Sequence, residues 1–325
     1  MRADHAGGKT PADSPEARDS TCHIPVMLEE VVQWLGEISP RTIVDGTYGG
    51  GGHALRLLEL LPSGQGHLIG LDRDPAVSRR VEREDHDSRL QVFVGSYELT
   101  SKAMDVVGVE RIDAMLLDLG LSSDQLADQD RGFSFTHPES PLDLRFDPDA
   151  GPTAAEWLAW HRESEIADAI FKFGEERFSR RIAREVVARR RREQPVATVG
   201  DLVEVCRRCV PRSRGHRSRG HDIHPATRTF QALRIVVNDE LGALERTLEK
   251  APDWLAPGGR LAAISFHSLE DRLVKNAFRN DPRWEVLTRK PVRPSEQEVR
   301  RNPRSRSAKL RVAQRAVDPF AGPSG

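Results

Sequence analysis

The chain has 325 residues, 38% hydrophobic and 30% charged, enough for a large core built as one big domain or as a domain with a sizeable insertion. Three cysteines are too few for a disulfide framework, and there is neither a charged-then-apolar leader nor an apolar run of about 18 residues, so a reducing, cytoplasmic setting without a membrane span is expected. The net charge of −1 hides strongly basic stretches at Arg177–Arg192, Arg212–Arg219 and Arg300–Arg311, whose local fields suit a polyanionic partner as well as they suit a solvated surface.

In chain order, residues 1–21 are small and polar with no apolar period, which predicts a disordered tail. Ile24, Met27, Leu28, Val31 and Leu35 then mark a helix. Strands are predicted at Thr42–Asp45, His67–Leu71, Leu90–Val94 and Ile112–Leu117, alternating with helices at His53–Leu61, Pro75–Arg83 and Leu99–Val107. Such alternation calls for a parallel sheet with right-handed crossovers and helices on both faces. The rhythm breaks at Ser122. Up to residue 221 no strand pattern is convincing, and Thr153–Arg192 carries long amphipathic patterns through Trp157, Ile166, Ile170, Phe178 and Ile182. An inserted all-helical domain over 122–221, following the fourth strand, is the natural reading. Ala226–Leu255 then reads as one long helix, Pro257–Gly259 as a turn and Arg260–Ser265 as a fifth strand. Trp284–Thr288 and Lys309–Ala313 complete the sheet as an antiparallel edge. The expected organisation is therefore a doubly wound α/β domain over 22–121 and 222–318, interrupted by the helical domain and followed by a short tail, 319–325. Cys206 and Cys209 lie one helical turn apart with no second pair to complete a zinc site, and no metal is expected.

In a doubly wound sheet the ligand crosses the carboxyl ends of the strands. After the first strand comes Asp45-Gly46-Thr47-Tyr48-Gly49-Gly50-Gly51-Gly52-His53-Ala54, whose glycines let backbone N–H groups approach a ligand closely. After the second comes Asp72, placed to accept both ribose hydroxyls of an adenosine, or merely to cap the helix at Pro75. Tyr97 follows the third strand and Asp118 ends the fourth. Nicotinamide and S-adenosylmethionine enzymes share this layout. The Leu255–Leu261 entry to the fifth strand, the pair of strand-end acids and the basic stretches favour the methyl donor and a polyanionic substrate.

Several blocks then make a resemblance specific: VDGTYGGGGHA (Val44–Ala54), IGLDRDP (Ile69–Pro75), LLDLGLSSDQL (Leu116–Leu126), RGFSF (Arg131–Phe135), PLDLRFDP (Pro141–Pro148), HPATRTFQALRI (His224–Ile235), ISFHSLEDRLVK (Ile264–Lys275) and NPRSRSAKLRVA (Asn302–Ala313). With His23–Glu30, AAEWL (Ala154–Leu158) and GEERFSRRIA (Gly174–Ala183) they run in order from about Cys22 to Arg315. The chain resembles the bacterial 16S ribosomal RNA cytosine-N4 methyltransferases, the small-subunit methyltransferase H family. That resemblance implies a class I methyltransferase sheet with a helical insertion. It implies S-adenosyl-L-methionine held at Gly51, Gly52, His53, Asp72, Tyr97, Asp118 and Gln125, and a cytidine in the decoding region of 16S rRNA, within the small ribosomal subunit, as substrate. The basic stretch RSRGHRSRGHD (residues 212–222) and the N-terminal extension look atypical and take no family role.

Asp118-Leu119-Gly120 stands where many amino-methylating enzymes carry an Asp/Asn-Pro-Pro-aromatic motif; Asp118 can still accept a hydrogen bond from the exocyclic amine. It is the candidate catalytic residue. Phe133, Phe135 and the Pro141–Pro148 motif could wall a pocket for a base turned out of the RNA, or simply pack between domains. Arg228, in the segment opened by His224, is the first choice for a phosphate or base contact, with Arg189 and Arg190 as further phosphate contacts on the basic helix. His53, His224 and His267 are candidate bases or ordinary capping residues. A Rossmann-type oxidoreductase and a non-catalytic RNA-binding assembly factor are the competing readings. The sequence leaves the oligomeric state open between a monomer and a homodimer.

Overall fold

The computed structural model of the protein describes residues 24–83, 86–211 and 224–317; both expected tails and the basic Arg212–Arg219 stretch lie outside them. The order is α1 (Leu28–Gly36), β1 (Thr42–Asp45), α2 (Gly52–Leu58), β2 (His67–Asp72), α3 (Pro75–Val81), β3 (Leu90–Val94), α4 (Thr100–Val107) and β4 (Ile112–Asp118). Then come α5 (Ser123–Ala127), α6 (Ala154–Trp160), α7 (Glu163–Gly174), α8 (Ser179–Arg191), α9 (Val199–Cys209), α10 (Thr227–Asn238) and α11 (Glu240–Trp254). The chain returns to the sheet with β5 (Leu255–Ser265), α12 (Ser268–Asn280), β6 (Trp284–Val286), α13 (Glu296–Arg301) and β7 (Lys309–Arg315).

Seven strands form one sheet in the order β3-β2-β1-β4-β5-β7-β6. The first five are parallel, whereas β7 runs antiparallel between β5 and β6. This is the class I methyltransferase sheet that the alternating pattern and the resemblance led us to expect. The strands read as unbroken apolar runs because both faces are covered. Alternate residues divide between two layers. Ile43, Leu68, Ala114 and Ile264 face α1, α2 and α3, and Val44, Ile69, Met115 and Leu261 face α4, α11 and α12. Strand order reverses at β1, which pairs with β2 on one side and β4 on the other, so a crevice opens at their carboxyl ends.

No strand interrupts the described residues between β4 and β5. The helices there enclose a core of their own, built from Trp157, Ile166, Ile170, Ile182, Val186, Leu202 and Val205. That core also takes in Phe230 and Leu233 of α10, so it extends beyond residue 221. The single long helix expected over Ala226–Leu255 is two helices, because its halves serve different cores: α10 packs in the helical domain and α11 on the sheet. The break falls at Asp239, in the left-handed region at φ 48°, a conformation that a short polar side chain tolerates better than most. Pro257–Gly259 is a turn inside a strand. β5 leaves the ladder after Leu255, which pairs with Ile112, and rejoins it at Arg260, which pairs with Ala114. Cys206 and Cys209 are both buried on α9, with burial pushing the Cys206 thiol up to about 12. Among the described residues no helix is long and apolar enough to cross a membrane, and no group of three His, Cys, Asp or Glu could hold a metal.

Leu202 is fully buried in the helical core, away from the sheet. Leu202→Ala should lower stability by about 2–5 kcal/mol in urea denaturation. Cofactor affinity measured on the folded protein should stay unchanged.

Candidate active site

The crevice at the switch point is a cleft of about 910 Å³, a volume that includes its open mouth. Its floor is the β1–α2 loop, fastened to both neighbouring strands: Gly46 N–H donates to Leu116 O at 2.9 Å and Tyr48 N–H to Leu71 O at 3.0 Å. Glycine is required where the loop turns into α2. Gly51 sits at φ 77° over the Tyr48 ring, and a Cβ on Gly52 would meet Pro25 Cγ at 2.5 Å. Pro25 belongs to an N-terminal strap pinned from the far end of the chain, with Glu298 accepting from Met27 N–H at 2.8 Å and Asn302 donating to Ile24 O at 3.0 Å.

At the end of β2, Asp72 Oδ2 accepts from Gly49 N–H at 2.7 Å and Oδ1 from Asp74 N–H at 2.9 Å. Each oxygen keeps a further lone pair for a hydroxyl donor. The helix cap is not Asp72 but Asp74, whose Oδ1 accepts from Ala76 N–H at 2.9 Å. At the end of β4, Asp118 N–H donates to Thr47 Oγ1 at 2.7 Å, which sets the direction of its carboxyl. Asp118 Oδ1 is buried with no hydrogen-bond partner, and burial pushes the carboxyl up to about 7. Its Oδ2 lies 3.7 Å from His53 Nδ1. His53 Nε2 meets the Val26 carbonyl at 3.0 Å, and since a carbonyl only accepts, Nε2 carries the proton and Nδ1 presents its lone pair to Asp118. Burial holds the His53 pKa below its ordinary value. Nearby, Asp45 Oδ2 is also unpartnered, and burial pushes that carboxyl up to about 6.

Gly52, His53, Asp72, Tyr97, Asp118 and Gln125 all line this cleft, while Gly51 shapes the turn from behind. Gln125 is fixed by a capping box, its Oε1 accepting from Ser122 N–H at 3.0 Å. Arg73, Glu240 and Glu270 also line it without having been picked out from the sequence, as does Phe146 of the Pro141–Pro148 motif, which was expected in the wall of the base pocket. The neighbours of Asp72 offered a signal for Arg73. Glu240 had none, because it arrives from the α10–α11 break.

A second cavity opens beside the first and shares Asp118, Gly120 and Leu121 with it. Its walls are Phe133, Phe135 and Phe266, with Ile24 and Val26 of the strap and with Asn302 and Arg304 at the other side. His224 lies behind this wall, its ring 4.8 Å from that of Phe135, and burial lowers its pKa. His267 caps α12, taking Glu270 N–H on Nδ1 at 3.3 Å. Arg228 is exposed on α10, near Glu175, and lines neither cavity. Arg189 and Arg190 are turned into the protein. Arg189 pairs with Asp201 and Glu204, and Arg190 donates to the carbonyls that end α6, including His161 O at 3.0 Å. Those bonds satisfy helix-end carbonyls that would otherwise be orphans.

The charges decide which cofactor the cleft fits. Asp72, Asp118, Glu240 and Glu270 line it against Arg73 as the one basic side chain besides His53, and the first glycine N–H to reach a carboxylate is already given to Asp72. A dinucleotide pyrophosphate would meet repulsion here. A cofactor that carries a cationic sulfonium and ammonium suits such an acidic cleft, in which Asp72 keeps lone pairs for hydroxyl donors and Asp118 has an unpartnered oxygen. The sheet and this cleft define an S-adenosylmethionine-dependent methyltransferase. The chain belongs to the MraW methylase family, whose model matches residues 20–316. It is 60% identical over 322 residues to the ribosomal RNA small subunit methyltransferase H of Rhodopirellula baltica, covering 97% of each chain. To the protein of that name from Heliobacterium mobile it is 46% identical over 314 residues, covering 90% of this chain and 98% of the other. Among solved structures, an rRNA methylase from Streptococcus thermophilus overlaps 88% of this chain and 93% of its own at 12% identity and TM-score 0.39.

Asp72→Ala removes the ribose acceptors and should weaken S-adenosylmethionine binding by about 1.5–3 kcal/mol, the worth of hydrogen bonds to a charged group. Calorimetry on the folded variant measures it, and unchanged affinity would remove Asp72 from the binding site.

Proposed function

We propose that the protein methylates the exocyclic N4 amine of a cytidine in the decoding region of 16S rRNA, acting in the cytoplasm on an assembled or nearly assembled small ribosomal subunit. The observation that carries this reading is that Asp118 lines both cavities at once, with one carboxyl oxygen unpartnered. An acceptor placed between a cofactor cleft and an aromatic-walled pocket suits an amine on a flat ring. The names of the relatives supply the ribosomal RNA, and the family resemblance supplies the cytidine and its N4 atom.

S-adenosylmethionine supplies an electrophilic methyl group when bound. Asp72 and the glycine loop hold and orient it. The cytosine amine is a weak nucleophile because its lone pair is delocalised into the ring, and an N–H···Oδ1 bond to Asp118 favours the pyramidal, attacking form. The acceleration comes mostly from this positioning. A base inside folded RNA must turn outward to enter such a pocket, where Phe133, Phe135 and Phe266 offer apolar faces. The amine loses one proton in the reaction and Asp118 is the acceptor within reach. Once taken up, that proton can rest on Oδ2, facing the His53 Nδ1 lone pair. The acidic cleft disfavours a nicotinamide dinucleotide, and the buried, unpartnered Asp118 oxygen, costly to retain without use, disfavours a non-catalytic assembly factor.

Asp118→Asn should slow single-turnover methyl transfer far more than it weakens RNA binding. In the wild type, transfer should fall as pH drops through an apparent pKa at or below about 7, since protonation removes the acceptor and a cationic cofactor favours the ionised form. That acid limb should vanish in the Asn variant. The stability of the cofactor-free protein has the opposite slope. A carboxyl raised by burial is neutral in both states below the unfolded pKa of 3.8, and the stability it allows is lost as pH climbs through the folded value of about 7.

Because Arg189 and Arg190 are engaged inside the protein, changing both to Gln should lower the melting temperature and leave the salt dependence of RNA binding in place. A drop of roughly one unit of slope per residue would instead mark them as phosphate contacts. The substrate itself is tested by mass spectrometry of 16S rRNA from cells lacking the gene. Full N4 methylation of the decoding-region cytidine in those cells would refute the assignment.

A further inference from the structure

Both residues that follow Asp72 reach from the sheet toward the helical domain, and both lead to the backbone of one residue, Phe146. Asp74 takes two hydrogen bonds at 3.0 Å from one terminal nitrogen of Arg131, whose other terminal nitrogen donates to Phe146 O at 2.7 Å. Arg73 donates to the Asn238 carbonyl. Asn238 in turn receives Phe146 N–H on Oδ1 at 2.7 Å and gives Nδ2–H to Leu144 O at 2.7 Å. The Phe146 backbone is thus held at its N–H and at its C=O by groups anchored beside the ribose acceptor. Its ring lines the cofactor cleft and stacks on Phe133 with centroids 5.8 Å apart, and Phe133 walls the second cavity. Arg131 is buried, 8% exposed, and lines neither cavity.

We propose that Arg131 is a positioning residue that sets both cavities together: it holds the Phe146 backbone against Asp74 to fix the cofactor wall and, through the ring stack, fixes the Phe133 wall of the base pocket. The second half rests on the reading that this pocket takes the substrate base. A buried ion pair is weak evidence for stability, since an apolar pair of the same volume often serves as well. What a guanidinium adds is a planar fork that serves a carboxylate and a carbonyl at once in fixed relative geometry, which an ammonium does not do.

The fork gives the test. Arg131→Met removes the contacts with Asp74 and Phe146 together with the 3.3 Å ion pair of Nε with Asp128, whereas Arg131→Lys keeps a charge against the two carboxylates but gives up the simultaneous hold on the Phe146 carbonyl. Calorimetry without RNA should show S-adenosylmethionine binding about tenfold weaker in both, the size of one lost hydrogen bond to a charged group. With the ribosomal substrate, KM should rise for cofactor and for RNA, while kcat at saturation stays within about threefold because Asp118 and the glycine loop are untouched. Leu202→Ala, which unsettles the helical core without touching the fork, serves as the control and should bind cofactor normally. From the other side, Phe133→Leu breaks the ring stack and should weaken cofactor binding by roughly threefold, although Phe133 lines only the second cavity. Wild-type affinity in Arg131→Lys beside a loss in Arg131→Met would make Arg131 a mere charge partner of Asp74 and overturn the proposal, as would unchanged cofactor affinity in Phe133→Leu. If Arg131→Met does not fold, the Lys and Phe133 variants decide. A wild type that binds cofactor but leaves the RNA unmethylated would count against the substrate reading, and the cofactor arm would still judge Arg131.

Discussion

The site depends on how the β1–α2 loop is stitched across the ends of three strands. Gly46 donates to β4, Tyr48 to β2, and Thr47 Oγ1 receives the N–H of Asp118. These bonds satisfy backbone groups that a buried loop would otherwise strand, and they place the two chemically important carboxyls, Asp72 and Asp118, at fixed positions on opposite sides of one cleft. Because Thr47 also donates to Asp45 at 3.4 Å, the ends of β1 and β4 cannot shift independently. The unpartnered oxygens of Asp45 and Asp118 belong to the same arrangement: the loop that orders the carboxyls also shuts water away from them.

Most of this architecture was legible from local pattern. β1 and β3 fall where their apolar runs end, and the glycine loop, Asp72 and Asp118 follow their strands as a doubly wound sheet demands. What stayed hidden is what no local pattern encodes. The Ala226–Leu255 segment has unbroken helical periodicity, and only the need to serve two cores breaks it at Asp239. Glu240 enters the cofactor cleft through that break, and Phe146, whose Pro141–Pro148 motif suggested only a wall of the base pocket, enters it through an irregular segment of the helical domain. The basic run at the end of α8 misled for a related reason. Arginine is as fit for capping carbonyls as for binding phosphate, and composition cannot say which way a side chain turns.

The helical domain is therefore more than an arm attached to a catalytic sheet. Its own core stands apart from the two layers on the sheet, yet Phe146 contributes to the cofactor cleft, and Phe133 and Phe135 wall the adjoining cavity. Residues of the helical domain thus line both the cofactor cleft and the cavity beside it. A class I sheet without such an insertion would have the acceptor at Asp118 but no enclosure beside it.

The antiparallel seventh strand has a consequence for how the protein is made. β7 lies between β5 and β6, and the segment just before it supplies Glu298 and Asn302, which pin the strap at Ile24–Met27 over the glycine loop. During synthesis the chain emerges from its amino end, so β6 has no strand neighbour and the strap no fastening until almost the whole length has been translated. The parallel half of the sheet can assemble early on the ribosome that produces it. Fastening of the strap over the glycine loop therefore waits for Glu298 and Asn302, which follow every residue lining the cofactor cleft in the chain.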